Sequence, residues 1–129
     1  MYANPMGAYE TVSKMTMPGR DIEAAVLTKA AHKLKTCQEH WDKADRDELL
    51  EEALNFNQRI WSIFQSELSS EDNPLPKKLR LDIIRLSTII DKRIFETMAE
   101  PSPEKLNIII NINNNLAAGL RGSPGDLTP

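Results

Sequence analysis

Cysteine is almost missing from this chain: Cys37 is the only one in 129 residues. A lone cysteine excludes an internal disulfide and leaves a small buried hydrophobe as its expected role. Nitrogen ligands are equally scarce. His32 and His40 are the only histidines, and with Cys37 they do not share the one helix face that a metal site needs. No metal or cofactor is expected. The chain also lacks a phosphate-cradling glycine loop, a nucleophile elbow and an HExxH run, so catalysis has no visible equipment. The carboxylates face solvent by periodicity, none beside a nucleophile, and the reading is against an enzyme.

Long hydrophobic runs are absent too. No stretch approaches the roughly 18 apolar residues of a membrane span. Residues 1–20 show no basic region leading into an apolar core and a small-residue cleavage site, so the expected compartment is the cytoplasm. Strand-like alternation is missing as well. A net charge of -3 opposes general attraction to a phosphate backbone. The candidate basic surface is Lys77, Lys78, Arg80, Arg85, Lys92 and Arg93. No aromatic residues interleave with it for base stacking, and the reading is against direct nucleic-acid binding.

What is present is helical periodicity, in a chain whose hydrophobic fraction of 40% and charged fraction of 27% suit one soluble domain. The pattern predicts an all-α fold: a compact bundle of four main helices plus a short N-terminal helix, over residues 1–121, with residues 122–129 as a flexible tail. Residues 1–17 form a leader that carries four of the five methionines, with Tyr2, Met6, Tyr9 and Val12 near one side of a possible short helix. Pro18 and Gly19 punctuate it. A first long helix follows from Asp21, with acidic residues in its first turn and Ile22, Val26, Ala30, Leu34, Cys37 and Trp41 as its stripe. Asp45 reads as the N-cap of the next helix, with Glu48 as its capping-box partner. The apolar side of that helix runs from Leu49 through Trp61 and Phe64 to Leu68, with Asn57 in its middle. Residues 69–76 form a turn, and Pro76 suits the first position of a helix striped by Leu79, Ile83, Leu86, Ile90, Ile94 and Met98. Pro101 ends it. Ser102 and Pro103 then offer a cap and first-turn pair for the last helix, which Gly119 or Gly122 closes.

The last helix is the most unusual segment. At about 100° per residue, Leu106, Ile109, Ile110, Leu116, Ala117 and Leu120 share one side, and Ile108 and Ile112 carry the apolar arc past half the circumference. Such a helix wants a second neighbour. Asn107, Asn111, Asn114 and Asn115 stripe the opposite side, while Asn113 points into the apolar arc. Asn57 and Asn113 are expected as buried amides that fix packing register, because an unpaired buried amide is costly. Trp61 is expected in the core, or as an anchor if its indole opens onto a groove.

Several residues, taken in order and spacing, carry a family likeness. Arg20, Asp21, Ile22, Glu23 and Ala24, then Ala53, Leu54, Asn57, Ile60, Trp61 and Phe64, then Leu75, Pro76, Leu79 and Arg80, and last Ile109, Ile110, Asn111, Asn113, Ala118, Gly119 and Leu120 resemble the FlaF family of alphaproteobacterial flagellar proteins. The likeness runs from Tyr9 to Leu120. It implies a small cytoplasmic protein needed for flagellin production and export, a regulator and secretion chaperone acting alongside FlbT. Flagellin is then the expected partner, through a terminal helical segment docked helix-in-groove. Phasing places the expected docking face on Ile108, Asn111, Ile112, Asn115 and Leu116, with Tyr2, Met6 and Tyr9 of the leader beside it. The competing reading is a post-transcriptional regulator that contacts flagellin messenger RNA, directly through Lys77, Lys78 and Arg85 or by way of FlbT.

Overall fold

A computed structural model describes residues 17–122 of the chain, and the side chains from residue 21 onward. The short N-terminal helix expected of the leader, with Tyr2, Met6 and Tyr9, lies outside the described residues. Four helices follow one another: α1 (Met17–Glu39), α2 (Arg46–Ser69), α3 (Lys77–Ala99) and α4 (Asn107–Leu120), the last preceded by a 3-10 turn at Pro103–Leu106. Among the described residues there is no strand. The fold is an all-α bundle of antiparallel helices.

The helices are not evenly spaced. α1 packs most closely on α4, α2 lies between α1 and α3, and the α3–α4 side is the weakest. Small residues explain the close side. Ala24 and Ala31 flank Thr28 by a turn, and Thr28 accepts a 3.0 Å hydrogen bond from Arg121, one turn beyond Ala117. All three alanines are buried, and side chains this small let two helices approach closely. At the opposite end, Gln38 Nε2 donates to the Pro103 carbonyl at 2.9 Å and to Asn107 Oδ1 at 2.8 Å. α1 thus holds both ends of α4. α3 also touches the 3-10 turn, so α3 and the last segment converge at that end and part towards the other.

Several local expectations change. α1 begins at Met17, not after Gly19, because a proline in the first turn forfeits only an N–H that has no helical partner. Asp21 and Glu23 therefore sit in its second turn. The buried face of α1 is Ala24, Leu27, Ala30, Ala31, Leu34 and Cys37, which leaves Ile22 outside the stripe and Trp41 beyond the helix, half-buried under the Arg46 guanidinium at 4.5 Å. Asp45 is the N-cap residue of α2, but its side chain makes no capping bond; its carbonyl takes the Leu49 N–H at 3.0 Å. Pro76 is the N-cap of α3, not its first residue. Ser102 Oγ turns to the Glu104 carboxylate at 2.8 Å and does not cap the backbone, and Pro103 opens the 3-10 turn before α4. In α3 the buried line runs through Ile83, Ser87, Ile90, Ile94 and Thr97, which leaves Met98 exposed. Gly119 is buried inside α4, and the helix closes on Gly122, whose φ of 104° lies in the left-handed region where a side chain is strained.

Candidate binding trough and the amide clamp beside it

Asn57 and Asn113 meet in the centre of the bundle. Asn113 Nδ2 donates to Asn57 Oδ1 at 2.6 Å, and Trp61 Nε1 donates to Asn113 Oδ1 at 2.8 Å. Asn57 Nδ2 spends both protons on the carbonyls of Ala30, at 3.2 Å, and Ala53, at 2.8 Å. All three side chains are fully buried. One network therefore joins α1, α2 and α4, and sliding any of them by a residue would strand a buried donor or acceptor. Trp61, packed edge-on against Phe64 at 5.8 Å, belongs to the core and not to an open groove.

One turn further along α2 the packing opens. A cavity of about 370 Å³ is walled by Phe64 and Leu68 of α2, Leu75 of the α2–α3 connection, Ile83 of α3, and Leu116 and Leu120 of α4, with Glu23, Glu67, Asn73 and Pro74 at its margins. It lies where α3 and α4 part. A shallower cleft between α1 and α2, lined by Ile22, Val26, Ile60 and Ile63, shares Glu23, Phe64 and Glu67 with it. The two adjoin across Glu23, Phe64 and Glu67 and form a trough at the end of the bundle, apolar along its walls with two carboxylates where they meet. Its rim carries Ile22 and Ile63, which are 64% and 51% exposed. The connection that forms its floor is held by Arg80, which donates to the carbonyls of Leu75, Leu68 and Ser70 at 3.2, 3.4 and 2.9 Å.

The expected docking residues of α4 are divided. Leu116 is buried and forms a wall of the cavity. Asn111 and Asn115 are exposed. Ile108 and Ile112 are partly buried and packed against the core, on the flank opposite Asn107 and Arg121, the two residues that bond to α1. Neighbours on both flanks thus account for much of the wide apolar arc of α4. The exposed large hydrophobics among the described residues are instead Ile22, Ile63, Leu81, Ile89, Phe95 and Met98. Sequence reasoning missed Ile63 because it falls on the polar side of α2, and misread Ile22 because α1 turns its alanines inward. An isoleucine out of phase with its own helix was the available signal.

Lys77, Lys78 and Arg85 of α3 border one shallow hollow, together with Leu81 and Asp82. Lys78 and Arg85 flank Asp82, at 3.2 and 3.7 Å, Arg93 lies 3.7 Å from Glu96, and Arg80 is committed to carbonyls. Between α1 and α2, Lys33 bridges to Glu52 at 2.7 Å, and that hydrogen bond, with the lysine charge, holds the Glu52 carboxyl below its ordinary range. Burial, reinforced by the Glu52 charge, pushes the Cys37 thiol up. Among the described residues no group of three His, Cys, Asp or Glu side chains is placed to hold a metal, and no helix is long and apolar enough to cross a membrane.

The family model for the flagellar protein FlaF matches residues 5–120. The chain belongs to the FlaF family. Comparison with curated proteins and with solved structures gave no match. The matched span of this FlaF-family protein takes in every element of the bundle, the amide clamp and all the walls of the trough, so the trough is part of the family domain and not an appendage to it.

Proposed function

We propose that this FlaF-family protein is a cytoplasmic chaperone that seats a terminal helical segment of flagellin in the trough, and by holding it regulates flagellin production and export. The observation that carries the reading is the open, mostly apolar trough in a flagellar protein. Unpolymerised flagellin is expected to present unpaired helix-forming ends, and an amphipathic helix buries its apolar face best in a groove of this kind. Leu116, expected from phasing at the docking face, stands in the trough wall. FlbT is the further partner that membership of the family suggests.

Co-purification with full-length flagellin, and with flagellin lacking either terminus, tests this directly. Ile22→Asp with Ile63→Asp should leave helicity unchanged and weaken capture at least about tenfold, because a docked apolar helix would have to bury uncompensated charge. Undiminished capture by that variant overturns the trough. Loss of capture through Ile108→Asp and Ile112→Asp alone, with the fold retained, would move the seat to the flank of α4. Raising salt from low to physiological should change capture little; a steep fall would favour messenger-RNA contact through Lys77, Lys78 and Arg85.

A further inference from the structure

We propose that the outer face of α3 is a second docking surface, fitted to an acidic amphipathic helix. Of the exposed large hydrophobics among the described residues, Leu81, Ile89, Phe95 and Met98 lie on this one helix. Phe95 is 74% exposed, and apolar side chains left in water mark an interaction surface when they line up. These do. Leu81, Thr88 and Phe95 follow one another at seven-residue steps, and Ile84, Asp91 and Met98 repeat the step three residues on. The two rows are the a and d positions of a heptad. Their polar members are already satisfied within the chain: Thr88 donates its hydroxyl proton to the Arg85 carbonyl at 2.7 Å, and Asp91 accepts from Gln65 of α2 at 2.9 Å. The seam therefore asks a partner for apolar side chains and not for a particular hydrogen bond.

Charge selects the partner. α3 carries six basic and three acidic residues in a chain of net charge -3. Lys78, Arg85 and Lys92 recur at the same seven-residue step beside the seam, at the e positions that flank a helix–helix contact. Asp82 lies 3.2 and 3.7 Å from the first two, in exposed bridges weak enough for a partner's carboxylates to replace. Lys92 is exposed. A helix with glutamates or aspartates along its flank meets this row, and one with basic flanks is repelled. A second copy does not fit. Antiparallel, its basic row would face this one; parallel, the row would face Ser87 and Ile94, which are buried. From Leu81 to Met98 the seam is about 26 Å long at 1.5 Å per residue, which a partner helix of three heptads covers. Leu81 stands about 160° around α3 from Ile83, the wall that α3 gives to the trough, so the two surfaces are separate and this one does not rest on the flagellin reading.

The probe is a fluorescent three-heptad peptide with leucine at a and d and glutamate at e and g, which like-charge repulsion keeps from pairing with itself. Its twin carries lysine at e and g. Fluorescence anisotropy with the full chain should give saturable binding of the acidic peptide and at least about tenfold weaker binding of the basic one. Leu81→Gln with Phe95→Gln, at exposed positions where helicity should not change, is expected to weaken the acidic peptide at least about tenfold. Arg85→Glu with Lys92→Glu should invert the preference between the two peptides. Ile22→Asp with Ile63→Asp should leave both affinities within about twofold, because the trough is distant from the seam. Equal binding of the two peptides, or acidic binding that survives loss of Leu81 and Phe95, would overturn the proposal. So would acidic binding abolished by the trough variant, a dimer of the pure protein that Phe95→Gln dissolves, or single-stranded RNA or phosphatidylserine vesicles that outcompete the acidic peptide for this face. Acidic-peptide binding in a protein that never captures flagellin would sink the flagellin reading and leave this one standing.

Discussion

α2 and α4 supply both the amide clamp and the trough, yet the two regions are built on opposite principles. At the clamp, Trp61, Asn57 and Asn113 are fully buried and joined by bonds of 2.6–2.8 Å, a geometry that tolerates no slip. One turn away, Phe64, Leu68, Leu116 and Leu120 face a cavity of about 370 Å³, and contact among them is non-directional. A polar network inside an apolar core adds less net stability than it adds selectivity between registers. With register fixed by the clamp, the far end of the bundle can stay open without the helices sliding to fill it.

The largest expected effect is on the clamp. Asn113→Ala leaves the Trp61 N–H and the Asn57 carbonyl oxygen buried without partners, and at about 1–3 kcal/mol for each group the protein should lose roughly 2–5 kcal/mol. Urea unfolding measures it. Asn111→Ala and Asn115→Ala, one turn or less away but exposed, should shift stability by no more than about 0.5 kcal/mol; equal losses at all three sites would erase the distinction. At the trough the sign should reverse. Leu116→Phe adds volume towards empty space and should stabilise by up to about 1 kcal/mol while lowering flagellin capture, and a destabilisation above that size would mean the cavity has no room to receive it. Arg80→Ala, which frees the trough floor from three carbonyls, should cost about 1 kcal/mol and raise hydrogen exchange in residues 70–76 before the clamp is affected.

The smallest effect concerns pH. Because Lys33 lowers the folded-state pKa of Glu52, the bridge contributes above the ordinary carboxylate range and is lost as pH falls through the lowered value. Glu52→Gln should therefore flatten the acid limb of the stability curve slightly and lower stability at neutral pH only a little, as suits an exposed pair. A large change at neutral pH would show that the bridge carries more than its exposure allows.

Much of the fold was readable from spacing alone. The apolar side of α2, drawn from Leu49 through Trp61 to Leu68, follows a 3.6-residue period closely enough that the buried set matches it except at Leu49 and Phe56, which are half-buried. The asparagines Asn57 and Asn113 stood out because each broke such a period, although nothing in one sequence said that they would break it against each other. α1 was harder. Its true face is rich in alanine, whose weak hydrophobic signal was outweighed by Ile22 and Val26, so the stripe was drawn a fraction of a turn away. Caps failed for a related reason: Asp45 and Ser102 have the right side chains, but local geometry directs the Ser102 hydroxyl to Glu104 and leaves Asp45 only its carbonyl to offer. The trough was the least legible, since a gap arises from how far α3 stands from α4, and distance between elements remote in sequence leaves no periodic trace.

The direction of the helices has a practical consequence. α1 starts and α4 finishes at the trough end, while residues 40–45 and 100–102 lie at the other. Bulk inserted at residues 72–74 would stand beside the seat proposed for flagellin, whereas an insertion at residues 42–44 would report from the far pole and leave it unobstructed.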